Sequence, residues 1–240
     1  MPSLRAAALT DIGRVRRQNE DRFLFDETTK LFGIADGVGG LPGGAEAAQQ
    51  SLDDVTNAIR ALAAGEEPNL TAIVHHTNQA VLDLGRRISP AMGIGTTLTF
   101  GCVRGNDFKI AHVGDSRCYG WRNGELQQLT EDHSVENEAR MRRAKGEVVY
   151  YHEANRNALT RCIGQPTPPE VDLITRPLQP GDRYLFCTDG VTRMVSQSEI
   201  GSYLAKNGEP ADSLKEIIML AIRRGGPDNA TGVLVMVDSV

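Results

Sequence analysis

Helices in this sequence come in pairs, and that limits the fold more than any other feature. Ala48, Leu52, Val55, Ile59 and Leu62 form one apolar stripe over residues Ala45 to Ala64, with Gly65 as the stop. The same spacing recurs over 69–88 in Leu70, Ile73, Thr77, Val81, Leu84 and Ile88, with Asn69 as N-cap and Pro90 as terminator. Ser196-Gln197-Ser198-Glu199 is a capping box that opens a third helix, to about Lys206. A fourth spans 211–224 and is stopped by Gly225-Gly226. Strand patterns fill the rest: 3–10, 22–26 and 31–35, then 96–103, 108–113, 117–122, 125–129, 171–176 and 183–188, and last 231–237. Asn123-Gly124 predicts a type I′ hairpin between two of them. A doubly wound parallel sheet needs helices alternating with strands. Paired helices instead predict an α+β protein, a four-layer αββα sandwich of two mainly antiparallel sheets with a helix pair on each outer face. There are no repeats and no linker, so 1–240 reads as a single domain.

Four aspartates stand where apolar runs meet turns. Asp36 follows Leu31-Phe32-Gly33-Ile34-Ala35, Asp115 follows Ile110-Ala111-His112-Val113-Gly114, Asp189 follows Tyr184-Leu185-Phe186-Cys187-Thr188, and Asp228 lies in Gly225-Gly226-Pro227-Asp228-Asn229. A carboxylate at the end of a buried strand is costly unless a cation compensates it. If the strand ends meet, the four form a pocket of oxygen ligands, which suits Mg²⁺ or Mn²⁺ better than zinc.

Composition excludes several classes. A net charge of −5 argues against nucleic acid or an anionic membrane as the main partner. Cys102, Cys118, Cys162 and Cys187 form no CxxC or zinc spacing and read as reduced structural thiols. No apolar run approaches the ~20 residues of a membrane span, and Met1-Pro2-Ser3-Leu4-Arg5 is unlike a signal peptide. The expectation is a cytoplasmic monomer.

Taken in order, the motifs match a family. Arg16-Arg17-Gln18-Asn19-Glu20-Asp21, Ala35-Asp36-Gly37-Val38-Gly39-Gly40, Gly95-Thr96-Thr97, Val113-Gly114-Asp115-Ser116-Arg117, Thr130-Glu131-Asp132-His133-Ser134, Asn157-Ala158-Leu159-Thr160-Arg161, Cys187-Thr188-Asp189-Gly190 and Gly226-Pro227-Asp228-Asn229-Ala230-Thr231 follow one another along nearly the whole chain. The set resembles the bacterial branch of the PPM family, the metal-dependent serine/threonine protein phosphatases of type 2C. The resemblance implies that Asp36 bridges two metal ions, with the Gly37 carbonyl on one ion and Asp189 and Asp228 on the other. It implies a weaker third ion at Asp115, shared with Asp189. Glu20 and Asp21 then orient metal-held waters, Asn229 shapes the Asp228 loop, and Arg16 binds the substrate phosphate. The catalytic set would be Arg16, Asp36 and Asp189, with Mn²⁺ or Mg²⁺ as cofactor and a water held between two ions as nucleophile. The substrate would be a phosphoprotein, phosphothreonine above all, opposite a bacterial serine/threonine kinase. Met92-Gly93-Ile94-Gly95-Thr96-Thr97 resembles phosphatases of type VI secretion. The alternatives are a weak phosphoprotein-binding module and a hydrolase of small phosphate esters.

Other residues read more plainly. Arg17 rivals Arg16, but in an extended strand the two would point to opposite sides. Ser116 lacks a base at recognisable spacing and reads as a turn serine. His75 and His76 are expected in solvent on a helix, His112 in strand packing, and His133 in the support of a turn. His152 has no assigned role. One departure stands out. Many bacterial members carry His where this chain has Leu41, and animal members carry it where this chain has Val38, so no histidine next to Asp36 is at hand as a general acid. Residues 134–156 correspond to the family's flap. Its Arg140, Arg142, Arg143 and Lys145 fit either an acidic partner or a solvated helix face.

Overall fold

The structure, a computed structural model, describes residues 2–63 and 65–240. Ten strands form two five-stranded antiparallel sheets. In order across the first sheet run β1 (Ser3–Asp11), β10 (Ala230–Ser239), β9 (Arg183–Cys187), β6 (Arg117–Arg122) and β7 (Glu125–Gln128). The second holds β2 (Asp21–Asp26), β3 (Leu31–Asp36), β4 (Leu98–Arg104), β5 (Asp107–Val113) and β8 (Asp172–Pro177). Helices α1 (Gly44–Arg60) and α2 (Leu70–Ile88) cover the second sheet. On the first sheet lie α5 (Gln197–Leu204) and α6 (Pro210–Arg223). The layers are therefore helix, sheet, sheet, helix.

Alternation along the strands builds these layers. In β3, Phe32 and Ile34 point to the facing sheet, whereas Leu31 and Ala35 point to the helices. Tyr184 and Phe186 of β9 likewise face inward, while Leu185 and Cys187 meet α5 and α6. Phe108 sits edge-on to Tyr184 at 4.7 Å and to Phe186 at 5.9 Å between ring centres, joining the sheets. Burying each such ring contributes about 1.5–3 kcal/mol. All four cysteines are free thiols, three of them buried. Among the described residues no helix is long and apolar enough to cross a membrane.

Several local expectations hold. Asn69 accepts from the Ala72 N–H at 3.0 Å. The capping box forms in both directions between Ser196 and Glu199. Asn123 and Gly124 both have positive φ, 53° and 86°, as a type I′ turn needs. Others are corrected. The first helix ends at Arg60, because the Ala63 N–H is taken by the Glu66 carboxylate at 2.9 Å instead of an intrahelical carbonyl. Its expected last residue, Ala64, lies outside the described residues. Strand β4 begins at Leu98 and not at Thr96, since Thr96 leaves the ladder to bridge Gly37 and Ile163. His75 is not fully in solvent: it is half-buried and its Nε2 lies 3.1 Å from the Pro169 carbonyl oxygen. The charged 134–156 stretch, whose pattern reads as a short helix plus an irregular insert, holds to that reading: α3 (Val135–Ala144) is followed by irregular chain and a 3₁₀ turn at Glu153–Asn155.

Candidate active site

Antiparallel pairing brings the aspartates together. Asp36 ends β3, directly opposite Asp21 at the start of β2. Asp189 follows β9 and opens a short helix, α4 (Asp189–Thr192), while Asp228 precedes β10. Cys187 of β9 pairs with Gly232 of β10 and with Arg117 of β6, so these termini share one end of the first sheet. Asp115 lies in the link from β5 to β6, which crosses between the sheets. A cleft of about 430 Å³ opens there, lined by Arg16, Glu20, Asp36, Asp115, Asp189 and Asp228 among others.

The backbone around Asp36 is clamped. Its N–H donates to Thr97 Oγ1 at 2.9 Å, and its carbonyl accepts from the Thr97 N–H at 2.8 Å and from Thr96 Oγ1 at 2.9 Å. That is why the two threonines left the strand ladder. The Gly37 backbone runs so close to Gly44 that a Cβ at 37 would lie 2.5 Å from the Gly44 carbonyl carbon. Only glycine allows that approach. Asn229 fixes the opposite wall. It accepts from the Glu20 N–H at 2.8 Å and donates to the Ile12 and Gln18 carbonyls at 2.9 and 3.0 Å. Asn229 thus ties the 12–20 segment to the Asp228 loop. Gly13, at φ 79°, completes the seam, since a Cβ there would meet the Asp228 carbonyl oxygen at 2.3 Å.

The segment holding Arg16 is a bent loop and not an extended strand, so strand alternation does not separate Arg16 from Arg17. Its placement is nonetheless distinct. Arg16 lines the cleft, its Nη2 donates to Asp228 Oδ2 at 2.8 Å, and its guanidinium lies against Gly39 of the Asp36 loop. Arg17 does not line the cleft.

Electrostatics mark this end of the molecule as unbalanced. Burial, then the repulsion of Asp21, Asp189, Asp115 and Asp228, raises the Asp36 carboxyl far above the usual range. Burial, with Asp189 as a nearby like charge, pushes Asp21 up to about 7, although Thr188 donates to its Oδ2 at 2.9 Å. Asp115 is pushed up to about 7 by burial and then by Asp189. Burial also raises Asp189.

Among the described residues no three carboxylate, imidazole or thiol groups converge as a closed cage for an ion. Asp228 instead gives an oxygen to Arg16, and Asp189 gives one to Arg193, a residue that sequence reasoning missed. Its only signal was its position four residues after Asp189, one helical turn. The residues present still fit hard divalent cations. The donors are all oxygens, and Asp21 Oδ1 and Asp189 Oδ1 are buried with no hydrogen-bond partner.

Among the described residues no histidine lines the cleft, nor does Leu41; Val38 does. His133 instead exchanges bonds with Gly114, accepting from its N–H at 3.0 Å and donating its own backbone N–H to the Gly114 carbonyl at 2.8 Å. Burial and then Arg161 lower its pKa. His112 is buried between Thr99 and the Glu131 carbonyl, and burial brings its pKa to about 4. Ser116 is buried with its hydroxyl 2.8 Å from Thr97 Oγ1, outside the cleft. In the 134–156 segment, Arg140 pairs with Glu131, Arg142 with Glu147, and Arg143 with the Val149 carbonyl.

The sequence pattern of protein phosphatase 2C matches residues 10–230. The chain belongs to the protein phosphatase 2C family. It is 32% identical to the serine/threonine phosphatase stp of Listeria monocytogenes over 234 residues, covering 94% of this chain and 93% of that protein. The PstP catalytic domain in complex with two manganese ions is 34% identical and superposes with a TM-score of 0.84, over 98% of this chain and 99% of that one. PppA, described as a key regulatory component of T6SS in Pseudomonas aeruginosa, is 28% identical with a TM-score of 0.84, over 98% and 99%. The αββα sandwich is thus shared along essentially the full 2C catalytic fold.

Proposed function

We propose that the chain is a metal-dependent serine/threonine protein phosphatase that transfers the phosphoryl group directly to water. The observation that carries this reading is the convergence of Asp36, Asp189, Asp228 and Arg16 on one cleft in a chain of the 2C family. Asp36, the Gly37 carbonyl, Asp189 and Asp228 would hold two Mn²⁺ or Mg²⁺ ions. When bound, such a pair supplies the Lewis acidity that makes water a competent nucleophile near neutral pH. Glu20 and Asp21 would orient waters at the site, and Asn229 keeps the Asp228 loop in register. Arg16 would release Asp228, bind the phosphate oxygens with two N–H groups, and offset charge as the P–O bond to the serine or threonine oxygen breaks.

Residues 1–240 would act as one cytoplasmic catalytic domain, with 134–156 as a flap beside the cleft. A phosphothreonine protein and its kinase are the expected counterparts. The likeness to PppA is no greater than that to PstP, so it does not select a pathway.

Activity on p-nitrophenyl phosphate and on a phosphothreonine peptide is expected to vanish in EDTA and return with Mn²⁺. Acid quench of a ³²P-labelled reaction should leave no label on protein. A labelled phospho-enzyme would overturn direct transfer, and turnover of the aryl ester alone would favour a small-ester hydrolase. Phosphopeptide binding without turnover would indicate a binding module.

Arg16→Ala should lower kcat/KM roughly ten- to a hundredfold, the loss of one charge-assisted contact of about 1.5–3 kcal/mol. Arg17→Ala should change it little. The reverse pattern in steady-state kinetics would move the phosphate site to Arg17.

A further inference from the structure

Arg193 stands against two of the cleft's carboxylates. Its Nη2 pairs with Asp189 Oδ2 and its Nη1 lies 3.9 Å from Asp228 Oδ2. Asp189 has only two carboxylate oxygens. One is held by Arg193, and the other, Oδ1, is buried with no hydrogen-bond partner. If Oδ1 served an ion shared with Asp36, the only other oxygen of Asp189 would be the one already paired with Arg193. Arg193 is also fixed by the backbone. It directly follows α4, and its N–H donates to the Asp189 carbonyl at 2.9 Å, so the turn returns the guanidinium to the carboxylate that opens it. Beside it a second cleft of about 400 Å³ adjoins the first, and Asp115, Asp189 and Arg193 form part of the wall common to both.

We propose that Arg193 takes the place of a third divalent ion, so that the chain binds two ions and the guanidinium supplies the remaining positive charge beside Asp115 and Asp189. This rests on the reading of Asp36, Asp189 and Asp228 as metal ligands. An arginine stays charged at every accessible pH and cannot dissociate. The charge at this position is then constant, whatever the free metal concentration. Asp115 in turn serves as a counter-ion near Arg193 and not as a ligand.

The test is a count of bound Mn²⁺ on the intact protein, by equilibrium dialysis with elemental analysis and by Mn²⁺ electron paramagnetic resonance. Two ions per chain are expected in the native protein and in Arg193→Lys, which keeps the charge. Arg193→Ala is expected to gain a third ion over the same concentration range. The double variant Arg193→Ala/Asp115→Ala should lose it again. A third ion in the native protein that disappears with Asp115→Ala would overturn the proposal while leaving the two-ion reading intact. So would an Arg193→Ala protein that still binds only two. Native protein that binds no Mn²⁺ at all would overturn both readings.

Discussion

Asp36→Asn is expected to remove turnover while making the metal-free protein more stable. As a neutral amide it is a poor bridge between two cations, so kcat should fall by more than about a hundredfold, the upper range for groups that merely support metal ligands. The stability effect has the opposite sign. Asp36 is enclosed among Asp21, Asp115, Asp189 and Asp228, and burial plus their repulsion already disfavours its charge. An amide has no ionised form, so with no cation bound the fold no longer has to hold a proton at this position against the solvent pH. The two readouts are kcat at saturating Mn²⁺ and the melting temperature in EDTA. A variant that turns over normally would remove Asp36 from the metal site. A variant that is inactive but melts lower in EDTA would show a structural role instead.

Chelated native protein should lose stability as the pH rises from about 4 to about 7. The sign follows from proton counting. Asp21 and Asp115 titrate near 7 in the folded protein against the ordinary 3.8, so across this window the folded state holds protons that the unfolded state has released. Stability then falls with pH, is fully present only below the unfolded value, and is lost through the folded one. Both groups act with the same sign, so the melting temperature in EDTA should fall across this window. Mn²⁺ should reverse the trend, because ligands bind metal deprotonated and binding to the native state adds stability. Melting curves in EDTA and in Mn²⁺ at pH 5 and 7.5 decide it. Rising stability in EDTA across that interval would mean that these carboxylates are balanced from within the protein.

Much of the fold was legible because its signals are local. Helix pairing, the Ser196–Glu199 box and Asn123-Gly124 each act over a few residues, and each appears where its pattern placed it. The position of the four aspartates was legible for a similar reason: they sit at strand ends, and antiparallel pairing brings strand ends together. What the pattern did not reveal depends on partners distant in sequence. Thr96 and Thr97 have strand propensity, yet their hydrogen-bonding capacity goes to Asp36, sixty residues away. Arg16 and Arg17 do not alternate on a strand, because the chain is a bent loop there; what distinguishes Arg16 is Asp228 on the far side of the cleft. Arg193 had no apolar periodicity or motif to mark it. Leu41 drew notice through a family comparison, but the side chain at this turn that lines the cleft is Val38.

The most direct measurement is an anomalous difference map, recorded at the manganese edge, from crystals soaked in Mn²⁺. Two peaks are expected on either side of Asp36, one also in contact with the Gly37 carbonyl and the other with Asp189 and Asp228. Soaked protein that is active in Mn²⁺ but shows no peak touching Asp36 would contradict the account.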